Sequence, residues 1–154
     1  GAFQHRRGEP LELSIHGHLD WFPDYAEGLR RAASGLPVAF RGPFAPERVD
    51  EVLQQLDLVV VPSVWYENMP ITIHEAHRHG IPVVVTALGG MAEAVEHGVT
   101  GLTFPRGDAL ALAGALRSLA RDAELYDRLA RNRPRVPTLE EVVDRLERLY
   151  TGSV

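Results

Sequence analysis

Two short, uninterrupted apolar stretches constrain the fold of this chain more than any other feature. Residues 58–61 read LVVV and residues 82–85 read PVVV, so each run is β-branched after its first residue. Strands that are apolar at every position are typical of parallel sheets covered on both faces, whereas a half-solvated strand alternates. Each run is followed by a helical pattern. The sequence therefore predicts buried parallel strands joined by helices.

This alternation of strand and helix extends along most of the chain. Strands are predicted at residues 11–15, 38–40, 58–61, 82–85 and 102–104. Helices are predicted at 24–33, 47–56, 70–80, 91–97, from Asp108 onward until a break at 131–137, and at 138–150. Such a rhythm indicates an α/β fold, a Rossmann-like parallel sheet with helices on both faces. We expect residues 1–154 to form one domain.

The last helix has a recognisable beginning and an apolar stripe. Thr138 and Glu141 have the spacing of a capping box, in which each side chain satisfies a free backbone amide of the first turn. We expect the apolar side chains of this helix to point inward, against the rest of the domain. These residues are Val142, Val143, Leu146 and Leu149.

Composition excludes several classes of function. The formal net charge is −5 with a pI near 5.8, which provides no basic field for a nucleic-acid backbone. No apolar run approaches the length of a membrane span, and the chain does not begin with a signal peptide. Cysteine is absent, so disulfides and thiolate metal sites are excluded. These features predict a cytoplasmic protein that does not bind nucleic acid.

The segment after residues 58–61 contains the candidate chemistry. Pro62 ends the strand, Asn68 or Met69 can cap the next helix, and Pro70 fits its first turn. This places a helix N-terminus at the carboxyl end of a parallel strand, where α/β sheets bind ligands and free amides attract anions. Glu67 in the loop and Glu75 on the helix can approach one cleft. Taken alone, the two residues favour a simpler interpretation, with Glu67 as a surface charge of the loop and Glu75 as a helix-end residue.

A larger ordered set of residues surrounds these two glutamates. Glu67 and Glu75, residues 80–85, the Gly89-Gly90 pair and residues 98–102 together resemble the donor-site signature of retaining GT-B glycosyltransferases of family 4, group 1. The resemblance implies the C-terminal, donor-binding domain of a two-domain enzyme. In that family the sheet has six strands in the order 3-2-1-4-5-6. Five are recognisable here, and the first, central strand is the one missing.

The resemblance also implies roles for individual residues. Glu67 would be the catalytic residue, orienting the donor sugar and stabilising charge, and Glu75 would bind the ribose hydroxyls. The donor sugar and diphosphate would be bound by Asn68, Met69, Pro70 and Ile71. Arg41, Gly42 and Pro43 would lie near the base, although simple solvation of Arg41 is an equal alternative. Position alone makes His16, Gly17, Gly89 and Gly90 candidates for lining the site, because they follow predicted strands at the ligand side. An ordinary tight turn would need Gly89 and Gly90 just as much.

The function implied is retaining, metal-independent transfer of a hexose from a nucleoside-diphosphate sugar, with no cofactor. An acceptor sugar or lipid-linked glycan would be held by an N-terminal domain outside this chain. We therefore expect the isolated chain to be inactive and the full-length protein to be cytoplasmic, or peripheral to the inner membrane. Two alternatives stay open: an epimerase-like GT-B enzyme and a noncatalytic sugar-nucleotide-binding domain. His74, His77 and His79 share one helix without a metal motif, and we expect no metal site.

Overall fold

The computed structural model describes residues 11–68 and 70–152 of the chain. Within them, strands and helices alternate, and each strand overlaps a predicted one. The strands are β1 (Leu13–His16), β2 (Val38–Gly42), β3 (Val59–Val61), β4 (Val83–Thr86) and β5 (Leu102–Phe104). The helices are α1 (Pro23–Ala32), α2 (Val49–Leu53, preceded by a 3-10 turn at Pro46–Arg48), α3 (Ile71–His79), α4 (Gly89–Ala94), α5 (Ala109–Arg121), α6 (Ala123–Arg131) and α7 (Leu139–Thr151).

All described strand pairs are parallel, but the strands form two sheets rather than one. β1 pairs with β2, and the second sheet has the order β3-β4-β5. The predicted fold class is confirmed, because both sheets are parallel and are flanked by helices. β1 and β3 do not pair with each other in the described structure, and the family resemblance expects the missing central strand between them. That a further strand completes the sheet stays a prediction.

The second sheet contains the hydrophobic core, and β4 divides it. Val83 and Val85 pack on one face with Ile73 and Met91, whereas Val84 packs on the other face with Leu129. Side chains of consecutive strand residues point to opposite faces, so an all-valine strand contributes apolar surface to both. This is why the uninterrupted apolar run predicts a doubly covered strand correctly.

Helix α6 is anchored to the second sheet by a buried tyrosine. The Tyr126 hydroxyl donates a hydrogen bond to the Asp57 carbonyl oxygen, two residues before β3, at 2.9 Å. Burial of this phenol raises the pKa of Tyr126 to about 12, since the charged form is disfavoured away from water. The sequence analysis treats α5 and α6 as one helix. The structure separates them at Asp122, whose carboxylate caps α6 by accepting from the Leu125 amide at 2.9 Å.

Helix α7 begins with the predicted capping box but does not pack as predicted. The Glu141 amide donates to the Thr138 hydroxyl at 3.3 Å, and the Thr138 amide donates to the Glu141 carboxylate at 3.0 Å. No residue of α7 is buried in the described structure, and Leu149 is 65% exposed. The prediction that the apolar side chains of this helix point inward is therefore wrong. These residues are Val142, Val143, Leu146 and Leu149. Periodicity shows which side of a helix is apolar, but burial requires a neighbouring element.

The fourth helix also differs from expectation. The sequence analysis places residues 86–90 in a turn and begins the helix at residue 91, but α4 begins at Gly89 and ends at Ala94. The two glycines are therefore the first residues of a helix. None of the described helices is both long enough and apolar enough to span a bilayer.

We predict that Leu129→Ala destabilises the domain by about 2–5 kcal/mol, because it removes a core side chain and leaves a cavity. Leu129 is 2% exposed and packs under β4. Leu110→Ala on α5 is the matched control, since Leu110 is 82% exposed and should change stability by less than about 0.5 kcal/mol. Urea unfolding followed by circular dichroism measures both. Equal losses in the two variants would contradict this assignment of the core.

Candidate functional site

The candidate site is built on the loop that joins β3 to α3. The apolar strand ends at Val61, and α3 begins at Ile71 with Pro70 as its N-cap residue. The predicted cap at Asn68 or Met69 is therefore wrong for Asn68, while Met69 lies outside the described residues. Proline has no side-chain acceptor, and no side chain caps this helix. The amides of Ile71 and Thr72 remain available to a ligand, whereas the Ile73 amide already donates to the Pro70 carbonyl oxygen at 2.9 Å.

The backbone of Glu67 is fixed by the start of α4. The Gly90 amide donates a hydrogen bond to the Glu67 carbonyl oxygen at 2.7 Å. Because β3 and β4 are parallel neighbours, their following loops meet at the same edge of the sheet. This contact brings Glu67, Gly89 and Gly90 together, as a shared site requires.

Both glycines are required by this close approach. A Cβ atom at Gly90 would lie 2.4 Å from the Asn68 carbonyl oxygen and 2.6 Å from that of Glu67. At Gly89, φ is +50° and a Cβ atom would lie 3.0 Å from the Tyr66 ring. On sequence alone, close approach to a ligand and an ordinary tight turn explain the two glycines equally well. The structure shows a third reason, which is close approach to the Glu67 loop itself.

The carboxylate of Glu67 is held separately from its backbone. The Trp65 indole Nε1–H donates to Glu67 Oε1 at 2.6 Å. The Trp65 ring is 61% exposed and Tyr66 is 74% exposed, so two aromatic rings flank the glutamate at the surface. The sequence analysis does not select Trp65 or Tyr66. Their position immediately before Glu67 in the strand-to-helix loop is the signal that could have identified them.

Glu75 lies one turn into α3 and is half-buried. In the described part of the chain, its carboxylate has no hydrogen-bond or ion-pair partner. A half-buried carboxylate without a partner is free to accept hydrogen bonds from a ligand. No contact joins Glu75 to Glu67 directly, so a shared role of the two depends on a ligand that spans them.

The remaining candidate residues lie at the carboxyl edge of the first sheet. The Gly17 amide donates to the Gly42 carbonyl oxygen at 3.1 Å, which joins the ends of β1 and β2. His16 packs edge-on against the Phe44 ring at 5.4 Å between centroids. A Cβ atom at either glycine would meet nothing within 4 Å, so both face open space.

Arg41 and Pro43 are both exposed at the end of β2. Arg41 has no ion-pair partner among the residues that the structure describes. This exposure fits solvation and contact with a base equally well, so the role of residues 41–43 stays a prediction.

Two of the three histidines of α3, His77 and His79, make hydrogen-bond contacts within the fold. His77 is 2% exposed, and its Nε2 donates to the Thr100 carbonyl oxygen at 3.0 Å. Burial lowers the pKa of His77, since the charged form is disfavoured there. His79 Nε2 contacts Asp50 Oδ1 at 2.8 Å. Over residues 11–68 and 70–152, no group of three or more potential ligands is placed to hold a metal ion.

We predict that Gly90→Ala displaces the Glu67 loop and destabilises the domain by about 1–3 kcal/mol, because the new methyl group overlaps two carbonyl oxygens. Gly114→Ala on α5 is the matched control, since a Cβ atom there meets nothing within 4 Å. The control should stabilise the helix by about 0.5–1 kcal/mol. Urea unfolding measures both, and a neutral Gly90→Ala would show that the loop does not depend on this contact.

Comparison with known proteins places this geometry in context. Residues 2–122 match the model of the family described as glycosyl transferases group 1. D-inositol 3-phosphate glycosyltransferase of Geodermatophilus obscurus is 33% identical over 129 residues, which cover 81% of this chain and 28% of that protein. The protein of the same name from Rhodococcus erythropolis is 39% identical over 98 residues, covering 64% of this chain and 22% of the relative. The chain thus spans about a quarter of these relatives.

Several solved structures share the fold of this chain. The crystal structure of Anabaena HepE in complex with UDP matches with a TM-score of 0.82 and 27% identity, covering 92% of this chain and 41% of that one. HepE in complex with UDP and glucose matches with a TM-score of 0.81 and 26% identity, over 91% of this chain and 40% of that one. Sucrose-phosphate synthase from Thermosynechococcus elongatus matches with a TM-score of 0.73 and 32% identity, over 84% and 33%. An alignment over 92% of the chain includes residues of both sheets.

Proposed function

Because the chain belongs to the group 1 glycosyl transferase family, we propose that it binds a nucleoside-diphosphate sugar and supplies the donor half of a transferase site. The observation that carries this proposal is the held Glu67 carboxylate beside the uncapped N-terminus of α3. HepE, which shares this fold, is described in complex with UDP and with UDP and glucose. That similarity favours a UDP-sugar as the ligand.

The helix N-terminus suits the diphosphate. Free amides and the positive end of the helix dipole at α3 stabilise negative charge, which increases on the leaving nucleoside diphosphate as the sugar departs. We assign the donor sugar and diphosphate to Asn68, Met69, Pro70 and Ile71, of which Met69 lies outside the described residues. No metal ion or cofactor is assigned a role, because the amides can supply this stabilisation.

The two glutamates have different tasks in this proposal. Glu67 contacts the donor sugar near its reacting carbon, orients it and stabilises the positive charge that develops there. Glu75 accepts hydrogen bonds from the ribose hydroxyls. Two such acceptors favour a sugar nucleotide over inorganic phosphate. Arg41, Gly42 and Pro43 lie near the base in this arrangement, and His16 and Gly17 line the adjacent edge.

We assign retention at the anomeric carbon and hexosyl transfer to an acceptor sugar or lipid-linked glycan on the family resemblance. The acceptor would be bound by residues outside this chain, since the relatives are several times longer. An epimerase-like activity would act on the same donor without an acceptor. Product analysis after incubation with donor, with and without acceptor, distinguishes these activities.

Saturation-transfer NMR with UDP-, ADP- and GDP-glucose tests the binding proposal directly. We expect saturation transfer to the UDP-sugar, with the strongest signals on the ribose and glucose protons. Absence of transfer to all three ligands would contradict the proposal.

We predict that Glu75→Ala weakens binding of UDP-glucose by roughly 1.5–3 kcal/mol, through loss of charged hydrogen bonds to the ribose. Isothermal titration calorimetry measures the affinity. Glu124→Ala is the control, because Glu124 is an exposed carboxylate on α6, away from the β3–α3 loop. If Glu75→Ala binds UDP-glucose with unchanged affinity, Glu75 does not bind the ribose.

We predict that Glu67→Gln lowers kcat more than it raises KM, because a carboxylate that stabilises developing charge acts mainly in the transition state. The measurement is steady-state transfer from UDP-glucose by a form of the protein that includes its acceptor-binding part. Wild-type kcat with a raised KM would show instead that Glu67 contributes to ground-state binding.

A further inference from the structure

Glu67 is held at two points, one on its backbone carbonyl and one on its side-chain carboxylate. Gly90 fixes the Glu67 carbonyl oxygen, whereas the Trp65 indole donates to Oε1 of the side chain at 2.6 Å. This distance is short for an N–H···O bond and is typical of donation to a charged acceptor. Oε1 is therefore engaged, while Oε2 has no partner among the described residues and can face a ligand.

A tryptophan suits this task better than a basic residue would. The indole N–H only donates and carries no charge, so it orients the carboxylate without neutralising it. An arginine or lysine at this place would form an ion pair and reduce the negative charge available to a substrate. A free glutamate side chain would instead have to be ordered when the ligand binds, at a cost in conformational entropy.

The exposure of Trp65 argues against a role in the core. The ring is 61% exposed, and Val64 and Tyr66 on either side are also exposed. A large aromatic ring at the surface gains little from burial. Its hydrogen bond to Glu67 is the one specific polar contact that it makes in the described structure.

We propose that Trp65 is a positioning residue that holds the Glu67 carboxylate in the orientation needed to contact the donor sugar. This inference rests on the proposed function, because it assigns the sugar half of the donor to Glu67. It predicts that Trp65 affects the binding of one part of the ligand and not of the other. Trp65 should matter for the sugar, which Glu67 contacts, and not for the nucleoside diphosphate, which the α3 amides and Glu75 contact.

The first test compares UDP with UDP-glucose by calorimetry. Trp65→Phe keeps an aromatic ring and removes the donor, so it should weaken UDP-glucose by about 3- to 10-fold, the effect of one lost hydrogen bond, and leave UDP unchanged. Trp21→Phe is the matched control, because Trp21 is similarly exposed and stacks on His18 at 4.2 Å. It should change neither affinity.

A double-mutant cycle tests whether Trp65 acts through Glu67. In the Glu67→Ala background, Trp65→Phe should have little further effect on UDP-glucose, since the acceptor that it orients is gone. Fully additive losses would overturn the positioning role and indicate that the indole contacts the sugar itself.

NMR of the ligand-free chain provides a readout that does not depend on binding. The chain contains two tryptophans, so it gives two indole N–H resonances, and Trp21→Phe assigns them. Glu67→Ala should move the Trp65 resonance upfield and leave that of Trp21 in place. An unmoved Trp65 resonance would overturn the contact.

The outcomes separate this inference from the proposed function. If the unsubstituted chain binds neither UDP nor UDP-glucose, the proposed function fails and the role of Trp65 fails with it. If the chain binds both and Trp65→Phe keeps the wild-type ratio of affinities, the role of Trp65 alone is overturned.

Discussion

The burial of β4 on both faces is the constraint on which the rest of the structure depends. Residues 83–86 are all fully excluded from solvent, and the strand is hydrogen-bonded to β3 on one side and β5 on the other. Val83 and Val85 contribute to one core cluster and Val84 to the second. The strand is therefore enclosed by a neighbouring strand at each edge and by an apolar cluster on each face.

The position of β4 determines where the candidate site lies, because the connection from β4 to α4 is short. Thr86 ends the strand, and α4 begins three residues later at Gly89. The Gly90 amide therefore has a fixed place at the sheet edge, where it donates to the Glu67 carbonyl oxygen in an approach too close for any side chain at residue 90. A backbone contact between the β3–α3 loop and the start of α4 thus assembles the site. The charged groups of the site are side chains that project from these segments.

The two sheets differ in how fully they are covered. The second sheet has apolar clusters on both faces, whereas around the first sheet only Ala26 of α1 is buried among the described residues. One edge of β1 and one edge of β3 have no strand partner in the described structure. Unpaired edges present free backbone donors and acceptors. The similarity to HepE over 92% of the chain shows that both sheets nevertheless belong to one fold.

The sequence by itself determined the α/β class, the five strands, the capping box of α7 and the family, because these depend on local patterns of apolar residues, caps and ordered motifs. It placed Glu67 and the glycine pair in one candidate site without showing why the glycines are needed. Only the tertiary structure decided that Gly90 approaches Glu67, that Trp65 holds its carboxylate and that α7 is exposed. These are contacts between chain segments, or the absence of a covering element, and periodicity along the sequence does not encode either of them.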